Sequence, residues 1–145
     1  MISMDETPKP KKPSVIVDLG SCYTKCGLAG DKQPRSVFPT VVGYPKNSTL
    51  IKDVDSAKYY VGRDAIYLAN ILRLVYPIER AMVVDWNSPG IIIRCIYKEE
   101  LIVSPKDRPL LIIGNFLSES NRIKLAEFLF ETLGVPGVYF STHIR

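Results

Sequence analysis

Apolar residues come in short runs broken by Gly, Pro and charge along most of the chain. Val15, Ile16 and Val17 form a β-branched run that ends at Asp18 and Gly20, the pattern of a buried strand emerging into a turn. Cys22 to Leu28 reads as a second strand, closed by Gly27, Ala29 and Gly30. Almost nothing separates the two, so a hairpin is the expected connection. Asp31 to Pro34 supplies a further turn, and Arg35 to Phe38 reads as a third strand stopped by Pro39. Thr40 to Val42 reads as extended, Gly43 to Pro45 as punctuation, Asn47 to Ser56 as a polar connection and Lys58 to Gly62 as a short strand. Apolar residues at helical spacing predict a helix over Asp64 to Leu74, ended by Pro77, and Ala81 to Val84 is again β-like.

The second half has clearer periods. Ile92, Ile93, Ile96 and Tyr97 share one face of a helix expected within Pro89 to Leu101. After the break at Pro105 to Pro109, the continuous apolar run Leu110 to Ile113 predicts a strand covered on both faces. Ser120 to Leu133 is the strongest helical segment. Ile123, Leu125, Ala126, Leu129, Phe130 and Leu133 predict a broad buried face, Ser118 or Ser120 a cap, and Gly134 the C-terminal stop. Val138 to Phe140 is the next strand. Strand, helix and strand over 110–140 make a β-α-β unit with parallel pairing. No covering helix follows Phe140, which predicts further chain beyond Arg145 and, in the isolated chain, an unfinished sheet face.

Composition adds limits. A 46% hydrophobic and 23% charged chain of 145 residues is enough for one substantial core. The net charge of +4 permits acidic partners, but basic residues are scattered after Lys12, so direct nucleic-acid binding is not expected. Residues 1–13, MISMDETPKPKKP, lack an apolar core and read as a flexible tail rather than a secretory signal. Their KPKKP run also admits a nuclear address. No apolar run is long enough for membrane insertion. Cys22, Cys26 and Cys95 are an odd, widely spaced set that predicts reduced thiols, and with His143 the only histidine no zinc site is expected.

Candidate chemistry is concentrated in the loop after the first strand, DLGSCYTK at 18–25. Gly20 permits a tight turn or close approach to a ligand. Ser21, Thr24 and nearby N–H groups suit phosphate oxygens, and Lys25 adds a point charge. Asp18 suits a divalent metal held through water. The spacing is neither a Walker motif nor a dinucleotide loop. Asp64, Glu79, Asp85 and Glu99 are read as solvated charges or local ion pairs, Ser141 and His143 as no nucleophile pair, and Trp86 as a packing or interface aromatic.

The segment VIVDLGSCYTKCGLAGDKQPRSVFPTVVG at 15–43 resembles the actin and actin-related protein family. So do YVGRD at 60–64, YPIE at 76–79, VDW at 84–86, EEL at 99–101, NR at 121–122, FETL at 130–133, and Val135-Pro136 with Tyr139. The likeness is collinear from about Ser14 to Arg145. It implies an α/β, actin-like ATPase (ribonuclease H-like) fold. The chain would span an N-terminal portion over 14–145, with a small subdomain inserted at about 44–74. It implies ATP or ADP with Mg2+ as cofactor in the complete protein, phosphate contacts from Gly20, Ser21, Cys22 and Lys25, and Asp18 near the cation.

Several positions depart from the family pattern. Cys22 stands where a Gly usually follows the loop serine. His143 matches the usual water-positioning Gln, and Ile113-Gly114 replaces a Thr-Glu pair. Ser118 to Asn121 is one residue shorter than usual, and Asn47 to Lys58 keeps the length of a filament-joining loop but little of its sequence. These departures imply ATP as a structural ligand at most, bound weakly or not at all by the present chain, and no independent ATPase activity. The expected role is that of a divergent actin-related component of the cytoskeleton or of a scaffold in the cytoplasm. Partners would be actin-like or dynactin-type complex subunits and a cytosolic chaperonin. The alternatives are an ATP-hydrolysing, filament-forming actin and a subunit of a nuclear chromatin-remodelling complex.

Overall fold

The computed structural model describes residues 12–46, 59–80, 82–114 and 118–141. Expectations placed on residues 1–11, on Asn47 to Lys58 and on His143 lie outside them. The main body is a mixed sheet of five strands in the order β10-β9-β1-β2-β3. Here β1 is Val15–Leu19, β2 Tyr23–Leu28, β3 Ser36–Pro39, β9 Leu110–Ile113 and β10 Val138–Ser141. β1 to β3 run as an antiparallel meander, whereas β9 pairs in parallel with both β1 and β10. The predicted hairpin and β-α-β unit are therefore both present, and β1 joins them.

Strand alternation divides the sheet into two unlike faces. Val15, Val17, Leu19, Leu110 and Ile112 are almost wholly buried. They form one core with Ile92, Ile93, Ile96 and Tyr97 of α2 (Ser88–Cys95) and its wider π-type continuation Ile96–Glu100. Leu125 and Leu129 join the same core from α3 (Glu119–Glu127) and its wide last turns Phe128–Leu133. Ile16, Asp18, Leu111 and Ile113 project to the other face and are only half-buried.

Local signals place the ends of α3. The Ser118 hydroxyl accepts from the Asn121 N–H at 3.4 Å, and Gly134 adopts φ 74 at the C-terminal stop. The predicted broad buried face is narrower than expected. Leu125 and Leu129 are buried, but Ile123 is 55% and Phe130 47% exposed. α3 rests on the body along one side, with Phe128 and Leu133 packed at the margin of the core, so Ile123 and Phe130 meet solvent.

A second, three-stranded sheet has the order β5-β4-β6. Its strands are β4 (Val42–Pro45), β5 (Tyr60–Val61) and β6 (Leu72–Val75). Two sequence expectations are corrected here. Gly43 to Pro45 is the central strand and not punctuation. A Cβ on Gly43 would lie 2.6 Å from Leu72 Cδ1 and 3.2 Å from Ala65 Cβ, so the glycine admits close packing of its neighbours. Pro45 is tolerated because β5 pairs only with Val42 and Gly43. The helix expected over Asp64 to Leu74 is the single turn α1 (Arg63–Tyr67), after which the chain enters β6. Pairing of Leu72 to Val75 with β4 overrides the helical spacing.

A short hairpin of β7 (Ile78–Glu79) and β8 (Met82–Val83) leads into α2. Lys12 and Pro13, assigned to the tail from the sequence, are tied to the body. Lys12 Nζ lies 3.1 Å from Asp107, and Arg108 donates to the Pro13 carbonyl at 3.0 Å. No helix among the described residues is long and apolar enough to cross a membrane.

Candidate functional site at the β1–β2 turn

β1 and β2 are bonded in register from Val15–Leu28 to Leu19–Thr24. The reversal is therefore confined to Gly20, Ser21, Cys22 and Tyr23. The Gly20 N–H donates to the Tyr23 carbonyl at 3.1 Å. A Cβ on Gly20 would stand 2.7 Å from that carbonyl oxygen, so only glycine closes this turn without displacement. Ser21 and Cys22 occupy the exposed tip. Positive φ among described non-glycine residues is confined to Arg80 and Ile102. Cys22 thus needs no glycine-like backbone, and its side chain costs only the space it takes beside a ligand.

The turn is braced from behind. The Thr40 N–H donates to the Cys22 carbonyl at 2.9 Å, and the hydroxyls of Thr24 and Thr40, both fully buried, are 2.8 Å apart. The sequence groups Thr24 with phosphate-facing side chains. Its burial makes it instead a structural anchor for the loop. A hydrogen-bonded hydroxyl pair satisfies two groups that would otherwise be costly to bury.

Asp18 and Lys25 are cross-strand partners, and Ile113 is the neighbour of Asp18 on β9. Partners of this kind have Cβ atoms roughly 4.5–5.5 Å apart. The three side chains share the half-buried sheet face and line an open groove of about 230 Å³ with Ile16, which continues past Asp31 and Lys32. A cation, a carboxylate and a tight backbone turn therefore meet at one end of the sheet. This set suits a phosphate with its counter-ion. No group of three or more His, Cys, Asp or Glu side chains that would hold a bare metal occurs among the described residues. One carboxylate acting with waters and phosphate oxygens is the arrangement Mg2+ favours. Ile113 and Gly114 make the adjacent strand end apolar, and the Gly114 N–H is taken by the Ser141 carbonyl at 2.9 Å.

The other sequence candidates serve the fold. Asp85 accepts from the N–H and hydroxyl of Ser88 at the start of α2. Glu99 accepts from the Cys95 thiol at 3.9 Å. Burial pushes the thiols of Cys26 and Cys95 up to about 12, so both are neutral and poor nucleophiles at physiological pH. Trp86, 39% exposed, lines a shallow groove with Gly90 and Phe128. Among the described residues, Asp64, Glu79, Asp85 and Glu99 form no metal-holding group.

Asp31 is a residue whose role the spacing alone did not disclose. Its carboxylate accepts from the Leu28 N–H at 3.0 Å and from Arg35 Nε at 2.8 Å, closing the β2–β3 connection. The Leu28 N–H, assisted by Arg35, holds its pKa below the ordinary 3.8. A depressed folded pKa contributes stability above the unfolded value and loses it as pH falls through the folded one. Asp31→Asn should therefore flatten the part of the acid-unfolding curve below about pH 4, with little added loss at the lowest pH. Urea midpoints across pH 2–7 would check this. Parallel curves for parent and variant would contradict it.

The family model described as Actin matches residues 9–144. The chain belongs to the actin family. Membership accounts for the fold, in which a parallel β-α-β unit is joined to an antiparallel meander through β1. In this actin-family chain the AGDKQPR segment at 29–35 contains the Asp31 brace, and DLGSCYTK at 18–25 contains the turn.

Proposed function

We propose that this actin-family chain is a divergent actin-related component of a cytoskeletal or scaffold assembly, carrying ATP or ADP with Mg2+ as a structural ligand. The observation that carries the reading is the pairing of Asp18 with Lys25 on one sheet face beside the glycine-closed turn. In it, Lys25 supplies a point charge to phosphate oxygens. Ser21 and the backbone N–H groups of Ser21 and Cys22 border the same oxygens, and Asp18 orients water on the cation. A bound nucleotide would supply negative charge that offsets Lys25. The apolar end at Ile113 and Gly114 favours retention of nucleotide over hydrolysis, since neither side chain orients or activates water.

Binding of a fluorescent ATP analogue to the full chain with Mg2+ tests this. Lys25→Ala should weaken affinity about tenfold or more, the scale of a lost charge-assisted hydrogen bond. Cys22→Gly should lower stability by no more than about 1 kcal/mol, through the freer unfolded chain, and hold or raise affinity. Phosphate release should stay at background. Affinity indifferent to Lys25→Ala would refute the assignment, and turnover that rises on assembly would favour an ATP-hydrolysing filament instead. Partners are tested by purifying the tagged protein from cells. The reading expects actin-like or dynactin-type subunits and a cytosolic chaperonin in the cytoplasm, whereas chromatin-remodelling subunits would favour the nuclear alternative.

A further inference from the structure

The segment entering α2 and the middle of α3 do not close on each other. A groove of about 220 Å³ lies between them, with Trp86, Asn87 and Gly90 on one side and Lys124, Leu125 and Phe128 on the other. It shares no lining residue with the groove at Asp18 and Lys25. Its shape is set by local packing. A Cβ on Gly90 would stand 2.8 Å from Phe128 Cε1, so the Phe128 ring lies directly on the α2 backbone. Glycine weakens a helix, and here it admits the ring. The Arg94 guanidinium lies over the same ring, 5.7 Å from its centroid. Next to Trp86, the Asp85 carboxylate accepts from the N–H and hydroxyl of Ser88, and the Ser88 hydroxyl is 2.7 Å from that of Tyr44. The chain beside Trp86 is therefore fixed at the head of α2.

Leu125 is buried and forms the base of the groove, whereas Trp86 and Lys124 stand exposed at its rim. Among the described residues Lys124 forms no ion pair, and Arg94 rests on Phe128 without one. No acidic side chain lines the groove, and the nearby Asp85 is engaged by Ser88. An apolar base under free cations is complementary to an apolar side chain flanked by carboxylates. The volume lies below the roughly 300–1,000 Å³ of cofactor and drug-sized sites, which leaves room for one large side chain. Tryptophan and arginine beside such a pocket are the residue types that dominate binding energy at interfaces.

We propose that the groove between Trp86 and Lys124 is a docking site for an acidic linear segment of a partner protein. The segment inserts one aromatic or aliphatic side chain onto Leu125 and Phe128, and its Asp or Glu residues pair with Lys124 and Arg94. This surface serves a scaffold role without depending on bound nucleotide.

Trp86 is the one tryptophan of the chain, so its fluorescence in the intact protein reads the groove directly. The probe is a glutamate-rich peptide with one central phenylalanine. Two companion peptides carry alanine in place of the phenylalanine, or lysine in place of the glutamates. In the free protein, acrylamide should quench Trp86. The probe should shift its emission to the blue, saturably, and protect it from acrylamide, while each companion binds at least about tenfold more weakly. Lys124→Glu, at an exposed position, should weaken the probe about tenfold and tighten the lysine-bearing peptide. It should leave affinity for the ATP analogue unchanged, so failure here is separate from failure at Lys25. No saturable shift, an equal response to the alanine peptide, or indifference to Lys124→Glu would overturn the proposal. So would a Trp86 already shielded from acrylamide, which would put another segment of this chain in the groove. A blue shift that grows with protein concentration alone would put a second copy there, and would overturn it equally.

Discussion

Leu129→Ala should lower stability by about 3 kcal/mol, within the range of roughly 2–5 kcal/mol for truncating a buried leucine. Leu129 is fully buried, and it joins the core shared by α2, α3 and the sheet. Its carbonyl also accepts from the Val135 N–H at 3.0 Å, which turns the chain toward β10. Truncation leaves a cavity that the rigid sheet closes poorly, so the transfer loss and the cavity cost add. Against a total stability on the order of 5–15 kcal/mol this is a large fraction. The expected fall in melting temperature is on the order of 10 °C for a chain of this length. The neighbouring Phe130 is half-exposed, and Phe130→Ala should cost clearly less. Equal losses at the two positions, in calorimetry or urea unfolding, would show that α3 packs on a different face.

Gly20→Ala should cost about 1–3 kcal/mol, the scale of overpacking against an unyielding neighbour. The neighbour here is backbone: the new Cβ would be 2.7 Å from the Tyr23 carbonyl oxygen, which cannot rotate away as a side chain would. Relief requires opening the turn, and with it the register of Leu19 with Thr24 and the brace from Thr40 to the Cys22 carbonyl. Under the proposed function the same variant should also lose nucleotide affinity, since the N–H groups of the tip move with the turn. Gly30→Ala is the informative comparison. Nothing lies within 4 Å of a Cβ there, and only its φ of 95 opposes the change. A Gly20→Ala protein as stable as the parent would mean that the turn has a second conformation of similar energy.

Much of the chain could be read locally. The β1–β2 hairpin followed from a β-branched run and a very short gap, and the cap at Ser118 and stop at Gly134 from residue types whose side chains or backbone freedom act within one turn. The misreadings share one cause. Residues 64–74 carry helical spacing, yet β4 offers Leu72 to Val75 a ladder and Gly43 a cleft for Leu72. Nothing near Leu72 announces a partner strand so far back in the chain. Thr24 looked like a loop hydroxyl because its mate, Thr40, is remote in sequence. Ile123 and Phe130 looked buried because periodicity counts apolar faces without knowing how wide a surface they meet.

By itself, the sequence determined that Asp18, Gly20, Ser21, Cys22 and Lys25 lie on a strand-turn-strand segment, because turn chemistry and strand alternation act over a few residues. Only the tertiary structure decided that Asp18 and Lys25 face the half-buried side beside Ile113, that Thr24 faces inward to Thr40, and that Tyr44 reaches Ser88. Those outcomes depend on which face of the sheet α2 and α3 cover and on which distant strands pair. Both are set by burial of the whole core, and no local pattern encodes it.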